Sequence, residues 1–134
     1  MVLIDSSVWI DYFNGQSSRE TDYLDRLLGN DVAATGDVIL VEVLQGFRAD
    51  ADYASARQAL SGLPAYDMLG LRRSERAAGR YRRLRKSGVT VRKTIDVIIG
   101  SFCIDEGLPL LFSDRDFLPM VEHLGLQPAC AGPS

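Results

Sequence analysis

The sequence predicts an α/β fold, a parallel sheet with helices on both faces. Short apolar runs alternate along the chain with longer segments of helical periodicity. Runs such as Val2-Leu3-Ile4 and Leu110-Leu111-Phe112 are apolar throughout, as strands buried on both faces are. The chain has 134 residues, 46% of them hydrophobic and 25% charged, which suits one globular domain with its own core.

The elements follow in order. Val2-Leu3-Ile4 is a first strand ending at Asp5, and Ser6–Asn14 is a helix stopped by Gly15. Arg19–Leu28 is a second helix, ended by Gly29-Asn30, and Val32–Thr35 is a second strand. Asp37 caps a helix running to about Phe47, and Ala51–Leu60 forms another. Tyr66–Leu69 reads as a third strand. Arg72–Lys86 is amphipathic, with Ala77, Tyr81 and Leu84 on one face. Thr94–Glu106 has an almost continuous apolar body and should be buried on most sides. Leu108–Phe112 is a fourth strand, Asp116–Leu124 a last helix, and Leu126–Ala129 a candidate fifth strand. The domain is expected to span residues 1–130, with 131–134 a frayed tail.

Several classes are poorly supported. The N-terminal apolar run is too short for a signal peptide or a membrane span. Cys103 and Cys130 lack metal-site spacing, so no disulfide is expected and a reducing cytoplasm is the natural setting. His123 is the one histidine, which leaves no triad or zinc cluster, and it reads as a surface or packing residue. No glycine-rich nucleotide loop is present.

The net charge of −3 conceals an asymmetry. Residues 72–93 hold ten of the fifteen basic residues and one acid, Glu75, so this stretch carries +9 and the rest of the chain −12. Arg72, Arg76, Arg80 and Arg83 are spaced to face one direction on the helix, opposite the apolar stripe, and Arg92 follows. Such a stripe suits a phosphate backbone; a solvated helix face is the plain alternative.

Four acids stand in or against apolar segments: Asp5 after Leu3-Ile4, Glu42 within Val38–Leu44, Asp96 within Ile95–Ile99, and Asp114 after Leu110–Ser113. Buried carboxylates are costly unless a cation or several hydrogen bonds compensate them. Four that converge cannot all ionise alone, and an all-oxygen set selects Mg²⁺ or Mn²⁺. Each also has a local reading. Asp5 can cap the helix at Ser6, and Asp96 can follow a Thr94 cap. Glu42 can face water, and Ser113 with Asp116 fits a capping-box-like pattern. In an open parallel sheet, sites form beyond the carboxyl ends of strands where the strand order reverses. If the first and fourth strands are neighbours there, Asp5 and Asp114 face one another.

Four blocks then carry a resemblance. Val2–Ile10, with its strand, Asp and Ser, resembles the opening of PIN domains. Val41-Glu42-Val43-Leu44-Gln45-Gly46 is similar to the family's Glu-bearing helix. Val91–Gly100 resembles the segment with its third acid, and Leu111–Phe117 its closing motif. The blocks occur in family order over nearly the whole chain, and the small size points to the VapC toxin branch.

The resemblance implies a three-layer α/β/α sandwich with a five-stranded parallel sheet. It implies metal ligation by Asp5, Glu42, Asp96 and Asp114, with Asp116 as an accessory acid and Ser6 and Ser113 contributing hydroxyls. It further implies Mg²⁺- or Mn²⁺-dependent hydrolysis of RNA, tRNA or another structured RNA being the expected target. A VapB-like antitoxin and a homodimer are the expected assemblies. RNA contacts are expected from Arg72, Arg76, Arg80, Arg83 and Arg92. A non-catalytic RNA-binding or assembly module of the same fold, and a metal-dependent phosphatase, stay open as alternatives.

Overall fold

The computed structural model describes residues 1–129. Its strands are β1 (Val2–Ile4), β2 (Ala33–Gly36), β3 (Ala65–Tyr66) and β4 (Leu110–Leu111). Its helices are α1 (Ser6–Phe13), α2 (Arg19–Gly29), α3 (Asp37–Leu44), α4 (Asp50–Ser61), α5 (Leu71–Lys86), α6 (Thr94–Glu106) and α7 (Leu118–Leu124), the last preceded by a 3₁₀ turn at Arg115–Phe117. The sheet order is β3-β2-β1-β4 and every pairing is parallel. Successive strand residues point to opposite faces, yet Leu3, Ile4 and all of Ala33–Gly36 are buried. The sheet is therefore covered on both sides, as its apolar runs require.

Three details differ from the sequence reading. The fifth strand is reduced to one parallel bridge, Leu110 to Pro128, flanked by hydrogen bonds from Leu110 N to Gln127 O and from Ala129 N to Leu110 O, both 2.9 Å. Both bonds use the residues on either side of Pro128, whose nitrogen faces away from β4, so the missing N–H costs nothing at this edge position. The sheet among the described residues thus has four strands, not five. The third strand is shorter and earlier than Tyr66–Leu69, because Met68 N donates to Asp37 Oδ1 at 3.0 Å instead of to a strand partner. Asp37 itself is the first residue of α3, not its cap; the cap position is Gly36. Cys130 and the expected tail at 131–134 lie outside the described residues.

Two packing arrangements position the site. Trp9, 2% exposed, stacks on Phe13 with ring centroids 5.9 Å apart, and Phe13 meets Phe47 edge-on at 5.9 Å. This aromatic row anchors α1 beside the C-terminal end of α3. Helix α6 runs through the core with Val97, Ile99, Phe102 and Cys103 all buried. It ends at Gly107, whose left-handed backbone (φ 65°) favours glycine at this C-cap.

Candidate active site

β1 is flanked by β2 and β4, so the strand order reverses between β1 and β4. Ile4 pairs with Leu111, and Asp5 N donates to Leu111 O at 2.9 Å. The chain thus leaves both strands at the same edge, with Asp5 after one and Ser113-Asp114 after the other. Glu42 arrives from the middle of α3 and Asp96 from the first turn of α6.

The structure brings these acids together in two overlapping groups. Oxygens of Asp5, Glu42 and Asp96 lie within 4.8 Å of one another, and so do oxygens of Asp96, Asp114 and Asp116. Asp96 belongs to both groups, so all five sequence-identified acids form one cluster around it.

Asp5 is 3% exposed and caps α1: its Oδ2 accepts from Ser7 N at 3.1 Å and from Ser7 Oγ at 2.5 Å. The capping reading of Asp5 therefore holds on Oδ2, and Oδ1 is buried with no hydrogen-bond partner. Ser6 Oγ donates to Glu42 Oε1 at 2.6 Å and fixes that carboxylate across the α1–α3 contact. Asp114, not Ser113, caps the 3₁₀ turn, accepting from Asp116 N at 2.9 Å. Asp96 is 5% exposed, and its Oδ2 is buried without a partner. The expected Thr94 cap is absent: Lys93 holds that position without a side-chain bond.

Ser7 was not among the expected site hydroxyls, yet it links both strand ends. It donates to Asp5, and Ser113 Oγ donates to Ser7 Oγ at 3.2 Å. The signal was present: an Asp N-cap takes the amide two residues on, which makes residue 7 its partner.

Electrostatics follow from this crowding. Burial, reinforced by the Glu42 charge, raises the Asp5 carboxyl from 3.8 to about 6 despite the lowering effect of Ser7. Burial, then the charges of Asp5 and Asp114, raise Asp96 to about 7, with Lys93 opposing. Oxygen-only donors, two orphaned buried oxygens and mutually repelling carboxylates fit a hard divalent cation, and the cluster can bind a metal. Thiolate chemistry is not supported: burial pushes the Cys103 thiol up to about 12.

The basic helix departs from expectation. Arg80 Nη1 donates to Ser101 O at 3.0 Å, Ser101 Oγ at 2.6 Å and Asp105 Oδ1 at 2.8 Å. Arg76 also approaches Asp105, at 3.5 Å, and Arg73 pairs with Glu106 while covering the Phe102 ring at 4.7 Å. The stripe does not lie opposite the apolar face. Four-residue steps advance about 40° around a helix with 3.6 residues per turn, so Arg80 drifts onto the docking flank. Arg72, Arg83 and Arg92 remain exposed.

A parallel sheet whose reversal point gathers five carboxylates is the arrangement of a PIN domain, and the PIN-domain family model matches residues 2–121. The chain belongs to the PIN-domain family. Over 131 residues it is 32% identical to Ribonuclease VapC11 of Mycobacterium tuberculosis, covering 96% of this chain and 98% of that protein. Among solved structures it is similar to VapBC2 from Rickettsia felis bound to a promoter DNA fragment, with a TM-score of 0.76, 17% identity, and coverage of 96% of this chain and 97% of that one. It is also similar to a toxin–antitoxin complex from Klebsiella pneumoniae, with a TM-score of 0.68, 22% identity, and coverage of 87% and 90%.

Proposed function

We propose that this chain is a VapC-type toxin, an endoribonuclease that hydrolyses RNA phosphodiesters at the Asp5–Asp96–Asp114 cluster with Mg²⁺ or Mn²⁺. The observation that carries this reading is the cluster itself, with its two unpartnered buried oxygens, in a chain related over nearly its full length to a VapC ribonuclease. Asp5, Glu42, Asp96 and Asp114 would hold the ion, with Asp116 beside Asp114 and Asp96. When bound, a divalent ion lowers the pKa of an attacking water and neutralises charge on the phosphate and the leaving oxygen.

The chain's own residues set the geometry. Ser7 holds Asp5 through Oδ2 and leaves Oδ1 without a hydrogen-bond partner. Ser6 holds Glu42, and the Asp116 amide holds Asp114. These fixed carboxylates require little reorganisation when substrate arrives. The water oxygen would bond to phosphorus in line with the P–O3′ bond, which breaks, so that O3′ leaves as a 3′-hydroxyl and the other fragment keeps a 5′-phosphate.

The VapC relationship supports two protein partners, a VapB-like antitoxin and a second copy of the chain. Exposed apolar side chains on separate helices, Leu71 at 91% and Val41 at 60%, supply surface for such contacts. No helix among the described residues is long and apolar enough to cross a membrane, and we place the protein in the cytoplasm.

The test is cleavage of RNA by purified protein with Mg²⁺, with Mn²⁺ and with EDTA, using Asp5→Asn as control. End-mapping of cellular RNA after brief induction then identifies the target. Cleavage that persists in EDTA, or in Asp5→Asn, overturns the metal mechanism.

A further inference from the structure

We propose that bound RNA leaves the acid cluster across the 89–93 loop and the C-terminal end of α5, with one phosphate among Arg92, Lys93 and Arg115 and a neighbouring base stacked on Tyr81. The inference rests on the nuclease reading and adds the path of the strand.

Two cavities mark this path. The first, about 70 Å³, has Asp96 and Asp116 in its wall, so it opens directly off the cluster. Arg92, Lys93 and Arg115 line it too, over an apolar floor that includes Leu84 and Met120. The second, about 130 Å³, is bounded by Tyr81 and Arg85 and shares Val89, Thr90 and Val91 with the first. The two are thus neighbours on one route. Arg85 already lies over the Tyr81 ring, 5.8 Å from its centroid, a stack that a base can extend.

Charge selects this route over the rest of the basic helix. Among the described residues, the ion pairs are Arg73 with Glu106 and both Arg76 and Arg80 with Asp105. The N-terminal and central parts of α5 therefore spend much of their charge on α6. Arg85, Arg92, Lys93 and Arg115 have no ion pair among the described residues. A polyanion must approach a strongly acidic cluster, and this side offers cations immediately beside it.

The probe is a short, labelled, single-stranded RNA of pooled sequence. Its binding is followed by fluorescence anisotropy at several salt concentrations with Mg²⁺, in an Asp5→Asn background so that it is not consumed. The double variant Arg92→Gln/Arg115→Gln is expected to weaken binding about tenfold or more and to reduce the log–log salt slope by about one to two. Tyr81→Leu is expected to weaken binding roughly five- to hundredfold, while Tyr81→Phe, which keeps the ring, binds as the parent does. Arg76→Gln is expected to bind within about twofold of the parent. Thermal melts confirm that each variant is folded.

Unchanged affinity and slope in the double variant, with the parent still binding and the wild type still cleaving, overturn this path and leave the nuclease reading intact. Equal losses in Tyr81→Leu and Tyr81→Phe overturn the stacking contact. A wild type that neither binds nor cleaves RNA with either metal overturns the nuclease reading, and this inference with it.

Discussion

Asp5 and Asp96 meet beyond the end of the sheet with carboxylate oxygens within 4.8 Å, and each also carries a buried oxygen that no donor reaches. Both carboxyls are raised, Asp5 to about 6 and Asp96 to about 7, from an ordinary value of 3.8. The folded protein therefore binds more protons than the unfolded chain across that interval. The stability these groups confer is complete below the ordinary carboxylate value and is lost as pH rises through about 6 and about 7. The melting temperature of metal-free protein should fall by a few degrees between pH 5 and pH 8. Mg²⁺ or Mn²⁺ should restore it at pH 8 and do little at pH 5, since the ligands must be deprotonated. A melting temperature that is flat with pH and indifferent to metal would contradict this.

Asp96 is the member shared by both acid groups, so neutralising it should relieve the most repulsion. Asp96→Asn should raise the melting temperature of metal-free protein by about 2–5 °C at pH 8 and remove most of its pH slope, while abolishing cleavage. The residue makes no capping bond that its loss would remove, since the cap position is Lys93. A fall in melting temperature at pH 8 would show that Asp96 is held in place by contacts other than a cation.

The acid cluster was legible because its members stand in or against apolar runs, where a carboxylate is costly unless a cation or hydrogen bonds compensate it. Placement at the strand ends followed from the parallel α/β pattern, and the β1–β4 adjacency bears it out. What the sequence hid depends on partners distant in the chain. Ser7 reaches Ser113, and Asp105 captures Arg80, across separations of 106 and 25 residues that no local period reports. The expected fifth strand is a single bridge at Pro128 among the described residues, an extent that an apolar pattern alone does not report.

The hydrogen bonds rank the site residues. Asp5→Asn, Glu42→Gln, Asp96→Asn and Asp114→Asn should each lower turnover by about a hundredfold or more, since each removes a charge that would hold the proposed ion. Ser7→Ala and Ser6→Ala should cost about 10–100-fold and weaken metal affinity, because they release Asp5 and Glu42 without removing either. Asp116→Asn should fall between wild type and the four ligands. Metal titration by calorimetry beside single-turnover cleavage checks the order. A Ser7→Ala protein with wild-type metal affinity would remove that hydroxyl from the site.

Arg80 tests whether the basic helix binds RNA along its whole length or is partly structural. Its guanidinium makes three hydrogen bonds to α6, and the Asp105 side chain it holds is 6% exposed. Asp105 Oδ2 has no hydrogen-bond partner, and the carboxylate's other cation is Arg76, 57% exposed and 3.5 Å from Oδ1. Removing Arg80 leaves a buried carboxylate poorly compensated and uncouples α5 from α6. Arg80→Gln should therefore destabilise the protein by about 1–3 kcal/mol and barely change the salt slope of RNA binding. Arg72→Gln and Arg83→Gln, at exposed positions, should alter stability by less than about 0.5 kcal/mol. Arg80→Lys should retain part of this stability, because all three bonds converge on the single nitrogen Nη1 and an ammonium also offers three donors from one nitrogen. Urea denaturation and salt-dependent anisotropy on the same samples separate the two roles. An Arg80→Gln protein with an unchanged urea midpoint and a reduced salt slope would return Arg80 to the RNA-binding face.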